Sequence, residues 1–396
     1  MRSRLALALL FRSACLSACL SACLSACLPG VVHAQAAPDD DVISERVQRA
    51  NALYITGPFA RAGSAEIARF IRLSRMDAAI IDFKDGQGRM TYDSALPEFA
   101  EQEVIFIPDP AALVRELQAE GIHVIGRMVC FNDRLLSVRE PDRAILDNRP
   151  NRQGQTWTSW GTGGGWLNPW DERNHDLLLR LAEEIESFGV DEIQLDYIRF
   201  PVDEGVRLAS YAHERTDISR AEWLHGFLRR MDAQVAIPLA ADVFGIQAYG
   251  EGDRSGLGQD LELWADVIDV FCPMLYMNAM TDWGRGHPNR ARTLVQFGVT
   301  RLRERIGPRP VIRPFLQGFR NGADDWGPNF ITEQIRGARD GGADGFMFWN
   351  AGSNFGTVQR AMNGRARHLV PFPIPEERLA SRASTRQGRA LTSIIH

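Results

Sequence analysis

Lysine is almost missing from this chain. Of 45 lysines and arginines in 396 residues, only Lys84 is a lysine. A bias that strong, of the kind GC-rich coding produces, replaces lysine wherever a guanidinium serves. The survivor, in Asp82-Phe83-Lys84-Asp85, marks a place that calls for a compact ammonium. Cysteine is scarce too. Four of the six lie among the first 34 residues, and Cys130 and Cys272 fall on what read as non-adjacent strands. That pattern excludes a disulfide framework, and no Cys/His spacing suggests a zinc site. An excess of positive charge is also absent: the net charge is −5, which argues against nucleic acid or anionic lipid as partner. No Gly-rich dinucleotide fingerprint follows any expected strand.

The N-terminus reads as a leader. Arg2 and Arg4 precede an apolar run broken by four tandem Ser-Ala-Cys-Leu units, and Val32-His33-Ala34 forms a small-residue cleavage site before Gln35. Residues 1–34 are therefore expected to be a signal peptide rather than a membrane span. Leu16-Ser17-Ala18-Cys19 and its following copies also resemble a lipoprotein box, the alternative to plain cleavage. Either route puts the domain outside the cytoplasm, periplasmic or secreted, with no transmembrane span in the mature chain. Losing Arg2, Arg4 and Arg12 with no acid takes the net charge from −5 to −8, compatible with a neutral or cationic glycan. Residues 35–50 read as a linker, 51–370 as one catalytic-sized domain, and 371–396 as a polar tail, mobile or wrapped over the domain.

Between these ends, strand-like and helix-like stretches alternate. Strands are expected at Ala52–Thr56, Ala78–Lys84, His123–Val129, Glu192–Ile198, Ala236–Val243, Val267–Tyr276, Val311–Gln317 and Gly345–Trp349. Helix starts are legible at Ser64, at Asp109-Pro110, at Asp171 and at the Ser219/Glu222 capping box. Eight βα units fit an α/β fold of one kind, a single (β/α)8 TIM barrel with long C-terminal-face loops.

The most informative segment is Asp191-Glu-Ile-Gln-Leu-Asp-Tyr-Ile-Arg-Phe-Pro201. Ile193, Leu195 and Tyr197 alternate with Gln194 and Asp196, and Pro201 ends the ladder. A carboxylate so placed is costly unless something pairs with it or uses it. Barrel sites lie at the C-terminal strand ends, where the polar residues are Tyr54, Thr56, Asp82, Lys84, Arg127, Asp196, Arg199, Asp242, Tyr276, Gln317 and Asn350, with Trp349 beside the last. The third connection, 130–170, holds Trp157, Trp160, Trp166 and Trp170, and later loops add Trp283 and Trp326. Indoles at a cleft suit the apolar faces of sugar rings; long loops also use them as small cores.

Asp196 and Asp242, from neighbouring strands, supply the two carboxylates that glycoside hydrolysis needs. Arg199, Lys84 and Arg127 are placed to hold Asp196 ionised. Asp242, among apolar neighbours, is the expected acid. Glu251, Asp253 and Asp260 are rival acids. Metal binding by Asp82, Asp196 and Asp242 is disfavoured by a lysine in the cluster and by the lack of histidine at the strand ends, so neither metal nor cofactor is expected. Two other readings stay open: a non-catalytic glycan-binding barrel, and a metal-dependent deacetylase or esterase.

The strand-four segment, with Ala241-Asp-Val-Phe-Gly245, Gly258-Gln-Asp-Leu-Glu262, Cys272-Pro-Met-Leu-Tyr276 and Gly345-Phe-Met-Phe-Trp-Asn350, resembles a bacterial family of predicted glycoside hydrolases. That family has a TIM-barrel domain of largely uncharacterised function, distantly similar to the alpha-amylase clan. The likeness runs from about Asn51 to Asn354. It implies Asp196 as nucleophile and Asp242 as proton donor. Three features depart from the clan pattern: Gln194 stands where the clan has Arg, the strand-five acid is Asp rather than Glu, and no His-Asp pair lies near Gln317. Amylase specificity is not implied.

Overall fold

The computed structural model describes residues 44–382, apart from 101–103, 160–164, 251–253, 281 and 285. The expected leader, the linker before residue 44, Trp160, Glu251, Asp253 and the tail beyond 382 lie outside the described residues. Within them, eight parallel strand positions alternate with helices. They are β1 (Asn51–Ile55), β2 (Ala78–Lys84), β3 (His123–Val129), β4 (Glu192–Asp196), β5 (Leu239–Phe244), β6 (Val270–Met274), β7 in two pieces (Val311–Ile312 and Phe315–Gln317) and β8 (Phe346–Trp349). Each pairs with the next, and β8 returns to β1 through Asn51↔Phe346 and Leu53↔Phe348, which closes a (β/α)8 barrel.

All eight expected strands are present, with ends shifted by up to three residues. The seventh breaks at Arg313-Pro314, where proline has no N–H to give the ladder. Strand side chains are buried, as a parallel sheet covered by helices requires, except for half-buried Phe244, Met274 and Trp349 at C-terminal strand ends. Helix α1 (Ser64–Leu73) has Gly63 as its N-cap, at φ +84°, so the expected cap Ser64 is instead its first residue. Helices α2 (Pro110–Ala119) and α3 (Glu172–Ser187) start as expected, with Asp109 accepting from Ala112 N–H at 2.9 Å and Asp171 from Arg173 N–H at 3.0 Å. Helix α4 (Arg220–Gln234) carries the reciprocal Ser219/Glu222 box. Helix α5 (Arg290–Ile306) follows β6.

Part of the expected linker is structured. Glu45–Arg49 is a short helix under the barrel. Arg313 donates to Val47 O at 2.5 Å while pairing with Glu192 at 2.8 and 3.1 Å, both side chains fully buried. Burial pushes the Glu192 carboxyl up, but Arg313 and His123 outweigh it and hold it below the ordinary value. On the same side, Arg378 ties the start of the tail to Gly342 O at 2.7 Å and to Asp344 at 3.0 Å. At the opposite mouth, the long third connection forms the helix Arg134–Arg139. Its strand Leu146–Asp147 pairs antiparallel with Ala209–Ser210 from the fourth connection. No helix among the described residues is long and apolar enough to cross a membrane.

Candidate active site

The two-residue period of β4 sends Ile193 and Leu195 to the helix layer and Gln194 and Asp196 into the barrel. Register then does the rest. Asp82 on β2 pairs with Arg127 on β3, and Arg127 with Gln194 on β4. Leu195 pairs with Ala241, so Asp196 and Asp242 follow as side-by-side positions on adjacent strands, about 5 Å apart at the backbone. The two acids converge on one place.

Arg127 is the hub. Its Nη1 donates to Asp82, its Nη2 to Asp196, and its Nε lies 3.9 Å from Asp242 Oδ2. Tyr54 donates its hydroxyl to Asp82 and sits under the guanidinium, 5.3 Å from ring centre to Cζ. The other oxygen of Asp196 accepts from Tyr197 N–H at 2.7 Å. Tyr197 itself has φ +53°, a left-handed conformation that costs a non-glycine residue about 1–2 kcal/mol. Asp242 accepts from Gln194 Nε2 at 2.6 Å.

The two carboxyls differ in surroundings. The Asp196 side chain is 9% exposed and meets the guanidinium directly, whereas that of Asp242 is 1% exposed and lies farther from it. Burial, then the charge of Asp196, drives the Asp242 carboxyl well above the ordinary range; Arg127 and Gln194 oppose this without cancelling it. Burial raises Asp82 as well, against Arg127 and Tyr54. Burial and Asp82 together keep Tyr54 protonated, and Tyr276 is raised by burial and by Asp242. Of the two neighbouring acids, Asp242 is the one whose surroundings raise its proton affinity, as a proton donor requires.

Other expected residues sort into two groups. Tyr54, Asp82 and Arg127 join the cluster, and Tyr276 and Trp349 stand at the mouth, 6.1 Å apart between ring centres. Asn350 is tied into the loops, donating to Gly318 O at 2.8 Å and accepting from Gly352 and Asn354 N–H.

Four expected contacts with substrate are corrected. Lys84 is fully buried, with Nζ 2.8 Å from Val129 O and 2.9 Å from Asp133 Oδ2. The ladder shifts between Asp82 and Lys84, so Lys84 pairs with Met128 instead of following Asp82 inward. Arg199 does not hold Asp196; it lies 3.3 Å from Asp203 and stacks against Phe244, Trp166 and Tyr197. Trp166 is fully buried in that box. Gln317 is also buried, accepting from Met277 N–H and donating to Phe319 O and Asn321 O, which organises loops. Trp157 and Trp170 are core as well, while Trp283 and Trp326 are half-buried. Asp260 caps the helix Leu261–Trp264 and is not a rival acid at the cluster.

Gln194 was identifiable in advance only as a departure from the clan pattern, although period two places it on the face of Asp196. Its Oε1 has no partner among the described residues, so the amide's one bond goes to Asp242. That bond stabilises the ionised form. Substituting Gln194→Leu will therefore raise the proton affinity of Asp242. If Asp242 must be protonated to act, the basic limb of the pH profile of kcat/KM moves to higher pH. An unchanged limb, measured over a full pH series, would exclude this contact as a tuning interaction.

Among the described residues, two hollows lie on either side of the cluster. One, about 600 Å³, is lined by Tyr54, Thr56, Asp82, Asp85, Gln87, Arg89 and Thr91 with Phe59 and Phe106. The other, about 810 Å³, lies beyond β5 and β6.

A closed parallel barrel with paired carboxylates at its C-terminal mouth defines a glycoside hydrolase class of protein. Residues 52–355 match the family described as "Putative glycosyl hydrolase domain", and the chain belongs to that family. Among solved structures, the glycoside hydrolase domain of PgaB (BpsB) from Bordetella bronchiseptica superposes with a TM-score of 0.58 at 12% identity. It covers 81% of this chain and 98% of its own. An alpha-galactosidase from Thermus thermophilus gives 0.51 at 13% identity, over 82% of this chain and 62% of its own. A hypothetical protein from Ruminiclostridium thermocellum shares 29% identity over 48% of this chain and 97% of its own, with a TM-score of 0.41. Comparison with curated proteins gave no match.

Proposed function

We propose that this protein is an exported glycoside hydrolase that cleaves a polysaccharide or envelope glycan with retention, through Asp196 as nucleophile and Asp242 as acid and base. The observation that carries this reading is the pairing itself: side-by-side carboxyls sharing one guanidinium, one held against it and the other drier and raised. In the first step an Asp196 oxygen bonds to the anomeric carbon as the C–O bond to the leaving group breaks. The Asp242 proton passes to the leaving oxygen. In the second, Asp242 takes a proton from water, whose oxygen displaces Asp196 and restores both groups. Arg127 pairs with Asp196, and Asp82 with Tyr54 lines the neighbouring hollow where sugar hydroxyls would lie.

Retention is the mechanism read here for two carboxyls from adjacent strands; a carboxyl separation of about 5–5.5 Å suits it, and one of roughly 6.5–9.5 Å suits inversion. Incubating the purified chain with an oligosaccharide panel, with Asp196→Asn as control, tests the reading. The expected result is cleavage of at least one glycan with net retention by NMR. Tight binding with no cleavage would favour a glycan-binding barrel, and loss of activity with chelators would favour the metal-dependent alternative.

A further inference from the structure

The two hollows described near the cluster differ in character, one lined from β1 and β2 and the other from the ends of β5 and β6. Around the barrel the order is β1 and β2 with the polar hollow, then Arg127, Asp196 and Asp242, then the second hollow. The polar side offers carboxylate, amide, hydroxyl and guanidinium groups, the partners a sugar ring requires. The far groove is walled by Phe244, Ile246, Met274, Tyr276, Met280 and Trp283. Its side-chain polar groups are the Tyr276 hydroxyl, the Trp283 indole N–H and the Asp282 carboxyl.

This groove adjoins the site. Phe244 is two residues beyond Asp242 on β5, and the Tyr276 ring in its wall lies 6.1 Å from Trp349, which is itself 6.1 Å from Tyr54 of the cluster. Its walls are built rather than incidental. Arg290 on α5 fixes the outer loop by donating to Trp283 O at 2.9 Å, Met280 O at 2.7 Å and Met277 O at 3.3 Å. Trp283 packs on Tyr249 at 5.0 Å and Phe297 at 5.4 Å. Gly245 lets the floor close, since a Cβ there would meet Met274 O at 2.4 Å. Arg199 backs Phe244 at 4.5 Å.

A general acid stands beside the oxygen of the departing group, so the groove on the Asp242 side receives that group. We propose that this groove is the leaving-group subsite and that it takes an apolar aglycone, an alkyl or aryl chain, in place of a second sugar. A sugar there would bury hydroxyls against Met, Ile and Phe with few partners, at a cost that a hydrocarbon avoids. The glycan acted on is then one attached to an apolar carrier. This inference rests on the assignment of Asp242 as acid.

The test uses binding, so it does not depend on turnover. The full chain is titrated calorimetrically with monomeric n-octyl β-D-glucopyranoside and with methyl β-D-glucopyranoside. The octyl compound is expected to bind at least about tenfold more tightly, the gain from burying roughly two methylenes. That preference should vanish in Ile246→Asp, at a half-exposed position, and in Trp283→Ser, and it should persist in Asp196→Asn. Equal binding of the two compounds, or an octyl preference that survives both groove variants, overturns the proposal. So does tight binding of a cello-oligosaccharide that Trp283→Ser weakens, because the groove would then be a sugar subsite. Failure of the hydrolase reading looks different: groove binding intact with no glycoside cleaved.

Discussion

Replacing Asp196 with Asn will lower kcat/KM by at least about a thousandfold, the scale seen when a covalent nucleophile is removed, while near-ultraviolet circular dichroism stays unchanged. The fold should tolerate it because Arg127 keeps Asp82 as a hydrogen-bonded partner and Tyr197 loses only a local acceptor. A second consequence follows from electrostatics. The Asp196 charge is the strongest influence after burial in raising Asp242, so its removal lets Asp242 fall back toward the ordinary carboxyl range. Residual activity should therefore decline at a lower pH than in the parent. With Asp196→Ala, added azide should accept the sugar in place of the missing carboxylate and release a glycosyl azide of inverted configuration. Activity above a tenth of the parent level in Asp196→Asn would remove Asp196 from the chemistry.

The largest effect on stability is expected at Arg127. Asp82, Asp196 and Asp242 all gather around its guanidinium inside the barrel. Arg127→Met leaves three buried carboxyls with no counter-charge, a class of change that costs about 3–5 kcal/mol. The pH dependence has a definite sign. Burial already raises Asp82 and Asp242, with Arg127 opposing it, and without the arginine both rise further. Carboxyls whose folded proton affinity exceeds the unfolded one stabilise the fold below the ordinary carboxyl range. That contribution is lost as pH rises through the raised folded values. The deficit of Arg127→Met should thus be small near pH 4 and widen toward neutrality. Urea unfolding at several pH values measures it, and a deficit independent of pH would refute the shared-charge account.

Much of this barrel could be read from period and punctuation. β2 and β3 match their expected ranges, and the Asp109, Asp171 and Ser219 caps match because a capping side chain acts on backbone within three residues. What escaped was set by relations between distant segments. Lys84 and Asp82 look alike in sequence, two residues apart on one strand face, until a shift in the ladder turns one away from the other. The guanidinium that the alpha-amylase pattern carries two residues before the nucleophile comes here from β3, as Arg127, leaving room for Gln194. Trp166 and Gln317 have the composition of ligand-binding residues, yet long loops needed them for packing and for stitching backbone. Burial of a polar side chain by its own loops leaves no mark on local sequence.

The solitary Lys84, locked between Val129 and Asp133, gives this molecule an unusual chemical handle. In the native state no side-chain amine is open to acylating reagents, since the one ε-amine is enclosed. Modification at that residue demands that the second and third strands part from the loop above them. The rate at which a dilute succinimidyl ester marks it is consequently a clock for opening of the barrel rim, and any ligand that tightens the rim should slow it.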